Sequence, residues 1–443
     1  MPHRSSLLLC LIIAAPFQSM AQQATELNQR VEAMQRHIEE QDHRIDVLSQ
    51  ALESSKDEPV SSAPDSRLKS PPESIGLSPA AGKVYGVQGG LSVGGYGETV
   101  FSAFSHHLQN GSYSPQDSIT DLLRGVLYVG YKFTPWLIFN SEYEWEHGGF
   151  SDLHAQGESI VEFAYLDFLI TPAINIRAGQ ILIPAGFINE LHEPPVFLGA
   201  LRPSLEQEDG IIPTTWHENG LGIHGTLPHN LSYRVYLVNG LDSAHFNTDG
   251  TGSIGGGRQS GHQAIANRPA YTGRLDWHLL PGALVGGSFY TGDSAQQTGA
   301  TSLWTTLFEL HAEYRARGFQ ARGLYAHLSN GREGVAALAA DAPARGVGTE
   351  QSGGYLEAAY DLMALVPSSR QSVLPFFRVE RFNTQQSTTA GQVSDRSNDR
   401  TVIALGANYK PIPQVALKAD YDLNLNRLTT GRNQFNLALG YLF

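Results

Sequence analysis

Residues 415–424 read Val415-Ala416-Leu417-Lys418-Ala419-Asp420-Tyr421-Asp422-Leu423-Asn424, and the chain ends Phe435-Asn436-Leu437-Ala438-Leu439-Gly440-Tyr441-Leu442-Phe443. In the first stretch Val415, Leu417, Ala419, Tyr421 and Leu423 recur at every second position, opposite Lys418, Asp420, Asp422 and Asn424. Successive side chains of a strand point to opposite faces, so this is a strand with one apolar and one charged face. The final stretch puts Phe435, Leu437, Leu439, Tyr441 and Phe443 on one side. Pro411-Ile412-Pro413 marks a short turn before the first strand, and residues 425–431 make a longer connection between the two.

The same pattern extends back toward residue 90. Leu127, Val129, Tyr131 and Phe133 share a face, and Leu137, Phe139, Tyr143 and Trp145 lie opposite Asn140, Glu142, Glu144 and Glu146. Trp304, Phe308, Leu310, Ala312 and Tyr314 oppose Glu309, His311, Glu313 and Arg315, and Leu356, Ala358, Tyr360 and Leu362 oppose Glu357 and Asp361. Segments 158–170 and 319–328 are less clean, because Glu162, Asp167 and Arg322 fit neither face. Short Pro- or Gly-marked turns alternate with longer connections at 103–118, 147–157, 184–217, 240–266, 292–302, 329–351, 383–398 and 425–431. That places every long loop at one end. Sixteen segments, an even number, can close first on last. The expected fold is all-β: a 16-stranded antiparallel transmembrane β-barrel over residues 84–443, wide enough for an aqueous lumen.

Composition agrees with this reading. Only 16% of the 443 residues are charged, Gly numbers 46, and the net charge is -13, which argues against a nucleic-acid partner. No segment reaches the ~18 consecutive apolar residues of a membrane-spanning helix, which excludes a helical membrane protein but not a barrel. Residues 1–21 read as a signal peptide, with Arg4, an apolar run from Leu7 to Pro16 and Ser19-Met20-Ala21 at its end. The one cysteine, Cys10, lies inside it, so the mature chain has no thiol chemistry. Residues 22–52 form a coiled-coil oligomerisation segment with Leu27, Val31, Met34, Ile38, Gln41, Ile45, Leu48 and Leu52 along the seam. Residues 53–83, rich in Ser and Pro, read as a linker. The periplasm is the expected place of this N-terminal part.

The terminal Tyr441-Leu442-Phe443 resembles the assembly signal of bacterial outer-membrane barrels. The stretch Gly179-Gln180-Ile181-Leu182-Ile183-Pro184-Ala185-Gly186-Phe187, the long third loop to Ile211-Ile212-Pro213-Thr214-Thr215-Trp216-His217-Glu218-Asn219-Gly220, and the following Gly220-Leu221-Gly222-Ile223-His224-Gly225 resemble the porin O and P family, the phosphate-selective porins. The resemblance implies a homotrimer, delivery by the barrel-assembly machinery, surrounding outer-membrane lipids, and a third loop folded into the lumen as a constriction. Phosphate preference is implied too, but the residues point elsewhere.

An anion filter needs desolvated basic groups. The pore-lining and constriction candidates are instead mostly acidic: Glu142, Glu144, Glu146, Glu190, Glu193, Glu206, Glu208, Asp209, Glu309, Glu313, Glu380, Asp420 and Asp422, against Arg177, Arg202, Arg315, Arg378 and Lys418. The expected function is passive diffusion of small ionic or polar solutes, with weak cation preference or little preference. The alternatives are a phosphate or anion channel, and a plugged barrel acting as an envelope tether. Inward Glu–Arg pairs that neutralise each other across the wall are the structural reading of the same charges. Catalysis is not expected. Gly90-Leu91-Ser92-Val93-Gly94 matches G-x-S-x-G but opens a strand with no helix after it. No metal site or cofactor is expected, and His106-His107 reads as part of a solvated loop.

Overall fold

The computed structural model describes residues 29, 30, 32, 34–36, 75–149, 157–247, 250–341, 346–366 and 369–443. In the N-terminal unit, Met1–Pro64, the described residues are helical. Met34 is among them; the other seam positions and the signal peptide lie outside the described residues.

In the second unit, alternating stretches form sixteen strands: β1 (Gly90–Phe104), β2 (Ile119–Thr134), β3 (Leu137–Glu146), β4 (Ser159–Leu169), β5 (Asn175–Leu182), β6 (His217–Leu227), β7 (Leu231–Asn239) and β8 (Pro269–Leu280). The second half comprises β9 (Ala283–Asp293), β10 (Trp304–Ala316), β11 (Phe319–Asn330), β12 (Glu350–Tyr360), β13 (Ser372–Ser387), β14 (Asp399–Ile412), β15 (Val415–Asn426) and β16 (Gln434–Leu442). Each pairs antiparallel with its sequence neighbours, and β1 pairs with β16 from Tyr96↔Leu442 to Phe104↔Gln434. Phe443 adds two backbone bonds to Gly95 at that seam. The sheet is a closed barrel with no free edge.

The faces are inverted relative to a water-soluble protein. Outward Leu310 and Leu356 are each 67% exposed, whereas inward Glu309 and Glu357 are 1% and 4% exposed. Exposed aromatics gather at the short-turn rim, where Trp136 stacks on Phe168 and Tyr314 lies against Phe319. Trp145 and Trp304 are exposed near the long-loop rim. Two aromatic girdles around an apolar band are what a bilayer's two interfaces favour.

The segments that alternated poorly are explained by register and by what fills the lumen. Glu142 pairs with Phe163 and Tyr143 with Val161, leaving Glu162 as a β-bulge. The extra residue turns both Glu162 and Phe163 inward and shifts the parity of the remainder, so Asp167 also faces the lumen. A second bulge lies at Leu123 between the pairs Glu98↔Arg124 and Thr99↔Leu122; Arg124, on its C-terminal side, is inward with Val126 and Tyr128. In β11, Leu324, Ala326 and Leu328 face inward with Arg322 because the lumen holds an apolar cluster instead of water at that level.

Two boundaries differ from the sequence reading. Asp361 and Leu362 leave the strand: Asp361 caps the turn Leu362–Leu365, accepting from the Met363 and Val373 amides at 3.0 Å each. Residues 75–83, read as the end of the linker, are packed inside the barrel, with Ile75, Leu77, Ala80 and Ala81 buried.

On the outward face at Leu310, a charge meets hydrocarbon, and such substitutions at the bilayer midplane cost about 2–4 kcal/mol. Leu310→Arg should lower the unfolding free energy in lipid vesicles by that amount. A change under about 0.5 kcal/mol, the usual cost at a solvated surface, would mean that this face meets water.

Candidate functional site

The lumen is occupied by the third long loop, residues 183–216 (L3), which runs across the barrel. Its apolar side chains Ile183, Phe187, Leu205, Ile211, Ile212 and Trp216 pack with inward Tyr96, Tyr236, Tyr290 and Tyr355. Its peptide groups are held by the wall. Glu380 accepts from the Ser204 and Leu205 amides at 3.1 and 3.0 Å, and Asn408 donates to the Phe197 carbonyl at 3.1 Å. Asp420 accepts from the Ala200 amide, and Lys418 Nζ sits 3.6 Å from the Phe197 ring centroid.

A strap of residues 75–89 meets L3 from the side of β1–β5. The Glu193 carboxylate accepts from the Ala80 and Ala81 amides at 2.9 and 3.2 Å, and Ser78 donates to the Glu190 carbonyl. Asn140 donates to the Ala81 carbonyl at 2.9 Å, and Tyr85 donates to Asp167 at 2.6 Å. Burial pushes the Glu193 carboxyl up to about 8, against the pull of those two amides. Gly76 has φ of 75°, a backbone conformation that favours glycine, and a Cβ there would lie 2.0 Å from a Glu190 carboxylate oxygen and displace that carboxylate.

The inward charges that the sequence pointed to are therefore mostly paired and dry. Arg177 meets Asp167 at 3.0 Å, Glu190 meets Arg234 at 2.7 Å, and Arg378 bridges Glu380 and Glu357 at 3.0 and 3.1 Å. Glu309 accepts from Ser288 and lies 2.7 Å from His311. Glu206 accepts from the Ile188 amide and the Tyr355 hydroxyl at 2.8 and 2.7 Å. Asp422 accepts from Asn436 at 3.0 Å. Glu142, Glu144, Glu206, Glu309 and Glu380 are each at most 1% exposed, so they lie within the packed wall and L3 and do not face a water-filled passage. Glu313 and Arg315 pair at 2.8 Å near the short-turn rim.

Toward the long-loop end the lumen opens into a cavity of about 510 Å³. Its acidic lining is Glu98, Glu146, Glu158, Glu208 and Asp209; its basic lining is Arg124, Arg202 and Arg258. Arg124 joins Glu98, Glu144 and Glu146 at 3.3, 3.0 and 3.0 Å. Arg258 meets Glu208 at 2.7 Å, and Asp209 meets Arg400 at 2.6 Å. Arg202 donates to Thr214. Of the expected pore-lining and constriction residues, the cavity gathers Glu146, Arg202, Glu208 and Asp209; Glu313 and Arg315 lie at the short-turn rim, and the others are in the packed interior. Arg124 was missed although its parity puts it opposite Leu127, Val129, Tyr131 and Phe133. His192 carries no periodic signal in a loop.

No family model matches the chain. An uncharacterized protein of Aquifex aeolicus (strain VF5) is 38% identical over 352 residues, 78% of each chain. The solved Salmonella typhi OmpF, in complex with daunomycin, matches 80% of this chain and 98% of its own at a TM-score of 0.53 and 12% identity. An anion-selective porin from Comamonas acidovorans matches 80% of this chain and 99% of its own at a TM-score of 0.49 and 10% identity. The likeness to OmpF is one of fold: the 16-strand barrel of bacterial outer-membrane porins. The chain belongs to the family of the Aquifex aeolicus protein.

Two outcomes follow from how L3 is held. Glu380→Ala leaves the Ser204 and Leu205 amides and Arg378 short of a buried partner, and breaking such a pair costs about 3–5 kcal/mol; denaturant unfolding checks this. Burial pushes the Glu206 carboxyl above its ordinary range. The folded chain then binds this proton more tightly than the unfolded one, so its contribution is present at acid pH. It is lost as pH rises from the unfolded value, about 4.3, through the folded one. Glu206→Gln should flatten the slope of unfolding free energy against pH in that window.

Proposed function

We propose that this family member is an outer-membrane porin passing small hydrophilic solutes and ions by passive diffusion, with the barrel narrowed by L3. One observation carries the reading: a closed sixteen-strand barrel has an apolar outer face, a charged inner face, and a charged cavity of about 510 Å³ at its long-loop end. The outward band fits a bilayer, and closure leaves no unpaired backbone edge to lipid. In this reading residues 1–21 export the chain and residues 22–52 join barrels into a homotrimer. Tyr441 and Phe443, exposed on β16 and at its end, present the last strand to the barrel-assembly machinery. Outer-membrane lipids cover the apolar face.

The excess of carboxylates around the cavity favours weak cation preference over an anion filter. A second reading is favoured by the strap and L3 meeting in the lumen through Glu193, Ala80 and Ala81. In it the barrel is plugged at rest and acts as an envelope tether. Single-channel recording of the purified protein in a planar bilayer, under a salt gradient and with phosphate titrated, separates these readings. The expected outcome is stepwise conductance with a near-neutral or cation-leaning reversal potential. Anion-leaning current blocked by phosphate would replace it with the phosphate-selective reading, and absence of conductance with the plugged one.

A further inference from the structure

Four ionisable side chains meet where L3 leans on β3 and β4. Glu142 and Glu144 come from β3, Glu162 from the bulge in β4, and His192 from L3; each is at most 1% exposed. His192 Nε2 lies 3.1 Å from Glu142 Oε1 and 3.3 Å from Glu162 Oε2, and its Nδ1 lies 2.9 Å from the Asn189 carbonyl oxygen. A neutral imidazole has one N–H. With that proton on Nδ1 for Asn189, Nε2 turns a lone pair toward two carboxylates. Both Glu162 oxygens and Glu142 Oε2 are buried with no hydrogen-bond partner. Arg124 is engaged with Glu98, Glu144 and Glu146. Arg202 is the next cation: its Nη1 donates to Thr214, its Nε and Nη2 are buried without a hydrogen-bond partner, and it forms no ion pair with Glu142 or Glu162 among the described residues. Three acceptors thus converge with nothing positive between them.

We propose that Glu142, Glu162 and His192 form a buried divalent-cation site of the zinc type that pins L3 to the barrel wall. The ligand atoms of these three residues all lie within 4.8 Å of one another. Tetrahedral zinc with bonds of about 2.0–2.1 Å places its ligand atoms about 3.3 Å apart, close to the two distances from Nε2. An N–H donated to a backbone carbonyl is the usual device for fixing the tautomer and aiming the other nitrogen at a metal. Imidazole with two carboxylates selects zinc, manganese or ferrous ions over the oxygen-seeking calcium and magnesium. Glu162 is the extra residue of the bulge, buried beside Phe163 where β4 pairs with Glu142 and Tyr143 of β3. Glu142 and His192 also border an internal space of about 10 Å³, about the size of one water. The site is structural: its cation ties a loop residue to two strands.

Full-length protein folded in detergent after chelator treatment tests this, with cobalt and zinc as probes. One cobalt ion per chain should bind with the intense visible absorption of a tetrahedral site, and one zinc ion should displace it. Changing outer-shell groups already weakens metal sites by about 10- to 100-fold, so His192→Gln and Glu162→Gln should weaken uptake by more than about 100-fold. Heat-modifiable mobility on gels establishes that each variant is folded. Replacing exposed His106 and His107 together should leave uptake unchanged. The proposal fails if the folded wild-type protein takes up no stoichiometric cobalt or zinc, which would leave protons holding the cluster together. It also fails if folded His192→Gln and Glu162→Gln both bind as the wild type does.

Discussion

A backbone that must complete every hydrogen bond without water is the constraint on which the rest depends. In hydrocarbon an unpaired N–H or C=O costs several kcal/mol, and a sheet escapes that only by closing. Here closure is the β1–β16 ladder, continued by the Phe443–Gly95 bonds. Once the sheet has no edge, the period-2 alternation has one stable sense in a bilayer. Leu310 and Leu356 go out, and Glu309 and Glu357 go in.

Turning the charges inward creates a second requirement. Carboxylates and guanidinium groups away from bulk water need partners, since the loss of hydration exceeds what an unpaired charge recovers. The lumen meets this with ion pairs around the wall, such as Arg378 with Glu357 and Glu380, and with the peptide groups of L3. The same side chains that would line an open channel therefore become the sockets in which L3 sits. Buried pairs of this kind contribute little net stability, yet losing one partner is costly. They act on where the loop lies more than on how tightly the barrel folds.

This arrangement divides the lumen into parts with different capacities. Around His192, Glu193 and Trp216 the interior is packed, and the strap reinforces it through Ala80 and Ala81. Toward the long loops, Arg124, Arg202 and Arg258 share a solvent-sized space with an excess of carboxylates. In the proposed porin, a solute entering from that end would meet mixed charge first and the L3 clamp next, so selection at the mouth and passage through the barrel would depend on separate residues. A cation at Glu142, Glu162 and His192 would act on the second step alone, by setting how firmly L3 is held.

The sequence by itself determined the strand number, the order of short and long connections, the outward and inward faces of most strands, and the position of L3. Each of these follows from local parity and turn chemistry, which a strand carries in its own residues. Only the tertiary structure decided which inward charges stay wet. Glu380 looked like a lumen residue and is the acceptor for two L3 amides, a role that depends on a loop 175 residues away in the chain. The bulge at Glu162 depends on the register between β3 and β4, and one inserted residue reverses the parity from which faces are read. The strap at residues 75–83 has too little apolar surface to order alone, and only the cavity walls around Ile75 and Leu77 supply the missing contacts. The meeting of Glu142, Glu162 and His192 required all three conditions together: a register, a bulge and a folded loop.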